Sequence, residues 1–234
     1  MASGPDPEEC AHEYGATRER IAEVVAGADP DAAVPACPGW RVGDVLAHLA
    51  GVPAALVAGD VPRGDTQGWV DAQVEARRGR STESLLDEWA QVSPDFERMM
   101  ATSGPRIAGL IYDVVAHEHD LRAALGVPGA RGARAVVVAM DVERSILAAD
   151  LGRSGGAVVA RSSAGEWRAG ESVEGTAPVE LDLSASDQGT WELLRALGSR
   201  RSARQLDALP WRGDWRSIEA GLFHMPLPAD DLVE

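Results

Sequence analysis

Apolar residues recur at steps of three and four as far as Leu125, and past the stretch Gly126 to Arg134 segments appear in which they alternate at steps of two. A helix presents one face at the first period and a strand at the second, so no single layer of secondary structure satisfies both. The chain is therefore expected to fold as a helical part followed by a part that contains strands.

After a start that reads as disordered, Pro7 to Ala26 has a rough apolar face made by Tyr14, Ile21, Val24 and Val25, and a proline-rich break from Pro30 to Pro38 ends it. Trp40 to Ala58 is expected to be a second helix, because Val42, Val45, Leu49, Val52 and Leu56 form one stripe and Gly59 and Pro62 stop it. His48 adjoins that stripe. Asp65 to Arg78 reads as helical but polar, whereas Ser81 can cap a strongly periodic helix carrying Leu85, Trp89, Val92, Phe96 and Met99. Ile107 to Leu125 closes the set with Leu110, Val114, His117, Leu121 and Leu125, and Gly126 stands where a left-handed C-cap would fall. Four main helices imply a four-helix bundle.

Beyond it, Ala133 to Leu151 can form one more helix. Gly155 to Ala160 and Glu166 to Ala169 read as a hairpin turning at Ser163 to Gly165. Pro178 to Ser184 alternates Val179, Leu181 and Leu183 with acidic residues, as a strand with one wet face does, and Ser186 is placed to cap a helix with Trp191, Leu194 and Leu197. The expected fold class is thus α plus α+β, a four-helix bundle in residues 1–128 and a small α+β domain in residues 129–234.

A formal net charge of -15 would repel a phosphate backbone, and no arginine stripe interleaved with aromatics reverses this locally, so nucleic acid is not an expected partner. The longest apolar runs are too short or too polar to span a bilayer, and MASGPDPEEC lacks the basic and apolar regions of a secretory leader, which points to the cytoplasm and away from a membrane. Cys10 and Cys37 form no C-x-x-C pair and read as spectators. All 22 basic residues are arginine and alanine is abundant, as in GC-rich, for example actinobacterial, genomes. The chain is expected to act on a small molecule as a monomer or homodimer.

Chemistry concentrates in Asp113-Val-Val-Ala-His117. Residues four apart on a helix share a face, so a carboxylate oxygen and an imidazole nitrogen can meet one ion. Beside Leu110, Val114 and Leu121 these groups would incur a desolvation cost that a divalent cation offsets, and His48 on another helix is the natural third ligand. Two histidines and a carboxylate leave positions open for water or substrate; the set suits Zn²⁺ best, and Ni²⁺, Co²⁺ or Fe²⁺ can also accept it. The same spacing also fits a plain Asp113–His117 hydrogen bond with His48 as a core histidine, and the two readings stand side by side here. His119 lies two residues after His117 and is expected on the surface or behind the ligands. Asp120, three residues on, can orient the second ring nitrogen of His117. Arg200 and Arg201, just past a helix, can either hold a carboxylate or satisfy the helix C-terminus.

The segments CPGWRVGDVLAHLAGV and DVVAHEHDLRAALG resemble the mycothiol-dependent maleylpyruvate isomerase family, within the DinB-like superfamily of metal-binding bundles, and WELLRALGSRRSARQLDALPWRGD is similar to that family's sterol-carrier-like C-terminal domain. The likeness covers nearly the whole chain. It implies metal ligands at His48, Asp113 and His117, with Asp120 as the aspartate of H-x-x-D behind His117. The isomerase itself has glutamate as its middle ligand, and the aspartate here is that of related branches; His119 stands where the family often has tryptophan. The family's C-terminal arginine falls on Arg200, which would hold a carboxylate of substrate or thiol. The resemblance further implies a metal-dependent isomerase or S-transferase using mycothiol on a small electrophilic, possibly carboxylated, substrate. The alternatives are a metal enzyme without thiol, such as a hydrolase, isomerase or cyclase, and a non-enzymatic small-ligand-binding protein.

Overall fold

A computed structural model describes residues 5–172 and 176–234, so the start of the tail ahead of the first helix lies outside the described residues. The chain divides into two compact units, Asp6–Gly129 and Ala130–Val233.

The first unit is helical: α1 (Pro7–Val25), α2 (Val42–Val57), α3 (Thr66–Glu75), α4 (Thr82–Thr102), α5 (Pro105–Ala108) and α6 (Leu110–Ala124). The long helices α1, α2, α4 and α6 make the expected four-helix bundle, with α4 packed on α1 and α2 and with α6 against both. Ser81 caps α4, its side chain accepting the Ser84 N–H. Gly126 takes φ +65 just past α6, as a residue that ends a helix in the left-handed region does. The polar third segment is shorter than expected and buries only Val74. It lies along α2, where Gly51 allows the approach, because a Cβ there would stand 2.8 Å from the Arg77 guanidinium. The helix expected over Ile107 to Leu125 is divided at Gly109, which keeps helical dihedrals of φ -62 and ψ -15.

The core of this unit is aromatic on one side and ionic on another. Trp89 donates its indole N–H to the Tyr14 hydroxyl at 2.9 Å, and Phe96 packs edge-on against the same ring at 5.1 Å. Across α1 and α6, Arg20 holds Glu118 through both carboxylate oxygens at 2.9 and 2.8 Å. Arg122 adds a bond to Glu118 at 3.0 Å. Glu118 is 1% exposed, and a carboxylate so deeply buried requires this fork of charge-assisted bonds, which also fixes the rotation of α6 about its axis.

The second unit opens with α7 (Arg134–Ser154) and continues β1 (Gly156–Ser162), β2 (Gly165–Glu171), β3 (Val179–Asp182), α8 (Gly189–Leu197), α9 (Ala203–Asp207), β4 (Trp211–Arg212), a 3₁₀ turn (Trp215–Ile218) and α10 (Glu219–Leu222). The sheet order is β2-β1-β3-β4, with the expected antiparallel β1–β2 hairpin and a parallel β1–β3 pair. Register puts Val158 beside Val179 and Ala160 beside Leu181 and Trp167, one apolar face, and α7 and α8 pack on the sheet. Trp167 also donates to Asp141 on α7 at 2.7 Å. Ser186 does not cap α8. The helix begins at Gly189, and the Ser186 hydroxyl instead accepts the Gln188 N–H at 3.2 Å in the turn before it. Among the described residues no helix is long and apolar enough to cross a membrane. A helical first part and a mixed second part are the fold class expected from the change of period.

Candidate metal centre

His48 comes from the middle of α2, where the apolar stripe faces the bundle, and Asp113 and His117 come from successive turns of α6. The Asp113 carboxylate spans the two rings. Its Oδ2 lies 3.0 Å from Nε2 of His48 and its Oδ1 lies 3.6 Å from Nε2 of His117. One donor atom from each of the three side chains falls within 4.8 Å of the other two. Both imidazoles are buried, while the Asp113 side chain is 36% exposed, so the cluster has a closed side and one side that reaches solvent.

Behind His117, Asp120 is 0% exposed and its Oδ2 lies 3.1 Å from Nδ1 of the same ring. A carboxylate accepts, so the neutral ring carries its proton on Nδ1 and turns the lone pair of Nε2 toward Asp113. Two acceptors then face each other across 3.6 Å, an arrangement that a cation between them relieves. The donor set, two imidazole nitrogens and a carboxylate with an open side, fits a divalent transition metal.

The loop before α2 completes the surroundings. Ala33 and Arg41 form a bridge at its base, the Val34 and Trp40 backbones bond at 3.0 Å, and Gly39 supplies the turn at φ +86. Trp40 is thereby laid against both imidazoles, stacked at 6.1 Å from His117 and tilted at 5.4 Å from His48. Nδ1 of His48 is buried without a hydrogen-bond partner among the described residues, so packing against Trp40 holds this ring in place of a bond at that nitrogen. Cys37 sits in the same loop, half-buried, with Sγ 3.4 Å from Asp120 Oδ2 and 3.7 Å from His117 Nδ1. Reading Cys37 as a spectator missed this contact. Some 80 residues separate it from His117, and only the position of the loop brings them together.

His119 is 3% exposed, so of the two places expected for it, on the surface or behind the ligands, the surface is ruled out. A helix with one wet face would have turned a residue two steps from His117 outward, but α6 is buried continuously from Val114 to Leu121. On the Asp113 side, Tyr14, Leu49, Val52, Phe96 and Leu110 line a small apolar cavity with that carboxylate. Burial raises the Tyr14 phenol far above its ordinary pKa, with the bond from Trp89 only partly opposing the shift, so Tyr14 is a neutral hydroxyl. Arg200 belongs to the second unit, in the loop after α8 that Ser199 enters at φ +60. Its guanidinium bonds the Gly198 carbonyl at 3.3 Å, and that of Arg201 bonds the Arg200 carbonyl at 2.8 Å.

Residues 11–109 match the family model of the mycothiol maleylpyruvate isomerase N-terminal domain. Over those residues the chain is similar to this family. The match to the maleylpyruvate isomerase domain includes Cys37, Trp40 and His48 and stops before α6, so it is the folded bundle that brings Asp113, His117 and Asp120 to them. Among solved structures the chain is similar to a mycothiol-dependent maleylpyruvate isomerase, at 11% identity and a TM-score of 0.57 over 95% of each chain. A histidine-to-alanine mutant of a mycothiol-dependent maleylpyruvate isomerase aligns at 10% identity and a TM-score of 0.52, again over 95% of each chain. The likeness to both is one of fold. No curated protein matches the chain.

Proposed function

We propose that this protein is a metal-dependent enzyme of the cytoplasm that joins a mycothiol-type thiol to a small electrophilic substrate, as an isomerase or an S-transferase. The observation that carries the reading is the Asp113 carboxylate set between Nε2 of His48 and Nε2 of His117, at 3.0 and 3.6 Å, with the far nitrogen of His117 tied to Asp120. His48, Asp113 and His117 would hold the ion, Zn²⁺ being the best match to two nitrogens and one oxygen. When bound, such an ion lowers the pKa of a thiol or water and so supplies a nucleophile at neutral pH.

The chain's own groups do the rest. Asp120 keeps a proton on Nδ1 of His117 and fixes the ring's orientation. Trp40 covers both rings and keeps water from their closed side. Tyr14, Leu49, Val52, Phe96 and Leu110 back the Asp113 carboxylate with apolar side chains, which keeps that side of it dry. In the second unit, Arg200 is the group we assign to a carboxylate of substrate or thiol, on the strength of its fixed charge and half-buried place. A thiol brought in by a cosubstrate also suits a centre whose nearby cysteine is engaged with the buried Asp120 carboxylate.

The test is metal content by plasma mass spectrometry on protein purified without added metal, followed by turnover of an electrophilic cis-alkene diacid with and without mycothiol. About one equivalent of metal per chain and turnover only with thiol are expected. No metal after incubation with Zn²⁺ would remove the metal reading; turnover independent of thiol would remove the cosubstrate. Arg200→Ala should keep the metal and lose turnover.

A further inference from the structure

The loop that carries Cys37 is stapled around that residue: its N–H donates to the Val34 carbonyl at 2.9 Å and its carbonyl accepts the Trp40 N–H at 2.9 Å. Val34 itself is 2% exposed and anchors the loop in the bundle. The Cys37 side chain is thus directed by backbone bonds on both sides of it and not by its own packing alone. What it meets is Oδ2 of Asp120, the oxygen that also accepts from His117 Nδ1. A carboxylate with 0% exposure loses water as a partner, so each protein donor to it counts for more than at the surface.

We infer that Cys37 is a positioning residue: its S–H donates to Asp120 Oδ2, holding that carboxylate in the orientation that keeps the His117 proton on Nδ1 and Nε2 directed at Asp113. The inference rests on the reading of His48, Asp113 and His117 as metal ligands and extends it one residue outward. Trp40, three residues along the same loop, stacks on the ring that Cys37 steadies from behind, so one short segment sets both the tilt and the tautomer of His117. In this arrangement the thiol is neither nucleophile nor ligand. A serine hydroxyl can make the same donation, and an alanine cannot.

The experiment compares wild type, Cys37→Ser and Cys37→Ala for Zn²⁺ affinity, by competition with a chromophoric chelator, and for the absorption spectrum of the Co²⁺-loaded protein. Partners behind a metal-bound histidine are worth roughly 10–100-fold in affinity. Cys37→Ala is expected to bind Zn²⁺ about 10-fold more weakly, and Cys37→Ser to regain most of that loss. The ¹⁵N spectrum of the metal-free protein gives a second reading, in which the His117 Nδ1–H signal should persist in wild type and Cys37→Ser and broaden or shift in Cys37→Ala. Equal Zn²⁺ affinity and an unchanged imidazole signal in Cys37→Ala would overturn the inference. So would a strong thiolate-to-cobalt charge-transfer band in wild type that vanishes in Cys37→Ser, because it would make Cys37 a ligand. Wild-type protein that takes up no Zn²⁺ would overturn the metal reading and the inference with it, an outcome distinct from wild type and Cys37→Ala binding Zn²⁺ alike.

Discussion

Asp113 on α6 reaches His48 on α2 with a single oxygen at 3.0 Å while its other oxygen stays on the side of His117, one helical turn along its own helix. The carboxylate is the one charged donor of the set, so it supplies most of the attraction for a dication in a partly dry site. Asp113→Asn keeps the shape and removes the charge. Its metal content is expected to fall to near zero after dialysis, with the circular dichroism of the bundle unchanged. His48→Ala and His117→Ala should do the same, and retention of a full equivalent by any of the three would remove that residue from the ligand set.

Asp120 contributes differently, because it touches the ring of His117 and not the side that faces Asp113. Asp120→Ala leaves a buried imidazole N–H and a thiol without their shared acceptor, at a cost to stability of about 1–3 kcal/mol. Metal should still bind, about 10–100-fold more weakly than in wild type. Competition titration and thermal unfolding of the same sample separate the two effects. His119→Ala is expected to keep the metal and to unfold at a lower temperature, as fits a side chain that is 3% exposed.

How far the sequence could be read follows from which interactions are local. The stripe Val42, Val45, Leu49, Val52 and Leu56 announces α2 because a helix repeats its face every three or four residues, and none of these needs a distant partner to be recognised. The alternation of Val179 and Leu181 with Glu180 and Asp182 announces β3 in the same way. The Asp113–His117 step of four places both groups on one face, and the burial of His48 in α2 puts the third group inside the bundle. Cys37 was legible only as part of a proline-rich break and Trp40 only as the first residue of the expected second helix, which begins at Val42 instead, since no local period says where such a loop will fold back. The burial of His119 was hidden for a related reason: a one-faced helix is the default expectation, and α6 is enclosed on more than one face. Ser186 illustrates the limit of short motifs, since a serine ahead of a helix serves equally well in the preceding turn.

The bond between Trp89 and Tyr14 can be tested apart from the metal. Both side chains are buried, and Tyr14→Phe leaves the indole N–H of Trp89 with its acceptor removed. The expected destabilisation is about 1–3 kcal/mol by denaturant titration, with metal content unchanged. Replacing Trp89 by Phe in the Tyr14→Phe background removes the stranded donor but opens a cavity, so the double variant should be less destabilised than the sum of the single ones. Simple additivity would mean that the bond has no coupling energy.

Glu97 on α4 gives a pH-dependent prediction whose sign is fixed by its surroundings. The absence of a Cβ at Gly15 lets its carboxylate lie close against α1, where burial pushes its pKa up and the nearby charge of Arg18 only partly opposes this. The folded protein therefore holds the Glu97 proton to higher pH than the unfolded chain does, whose value is about 4.3. Between those two pKa values the folded state binds more protons, so this residue's contribution to stability is present below the unfolded value and is lost as pH rises through the folded one. Glu97→Gln removes the charge that must be kept partly dry. Relative to wild type it should gain stability as pH rises from 4 to 7, measured as a growing difference in denaturation midpoint. A difference that stays constant over that range would show that Glu97 titrates alike in the folded and unfolded chain.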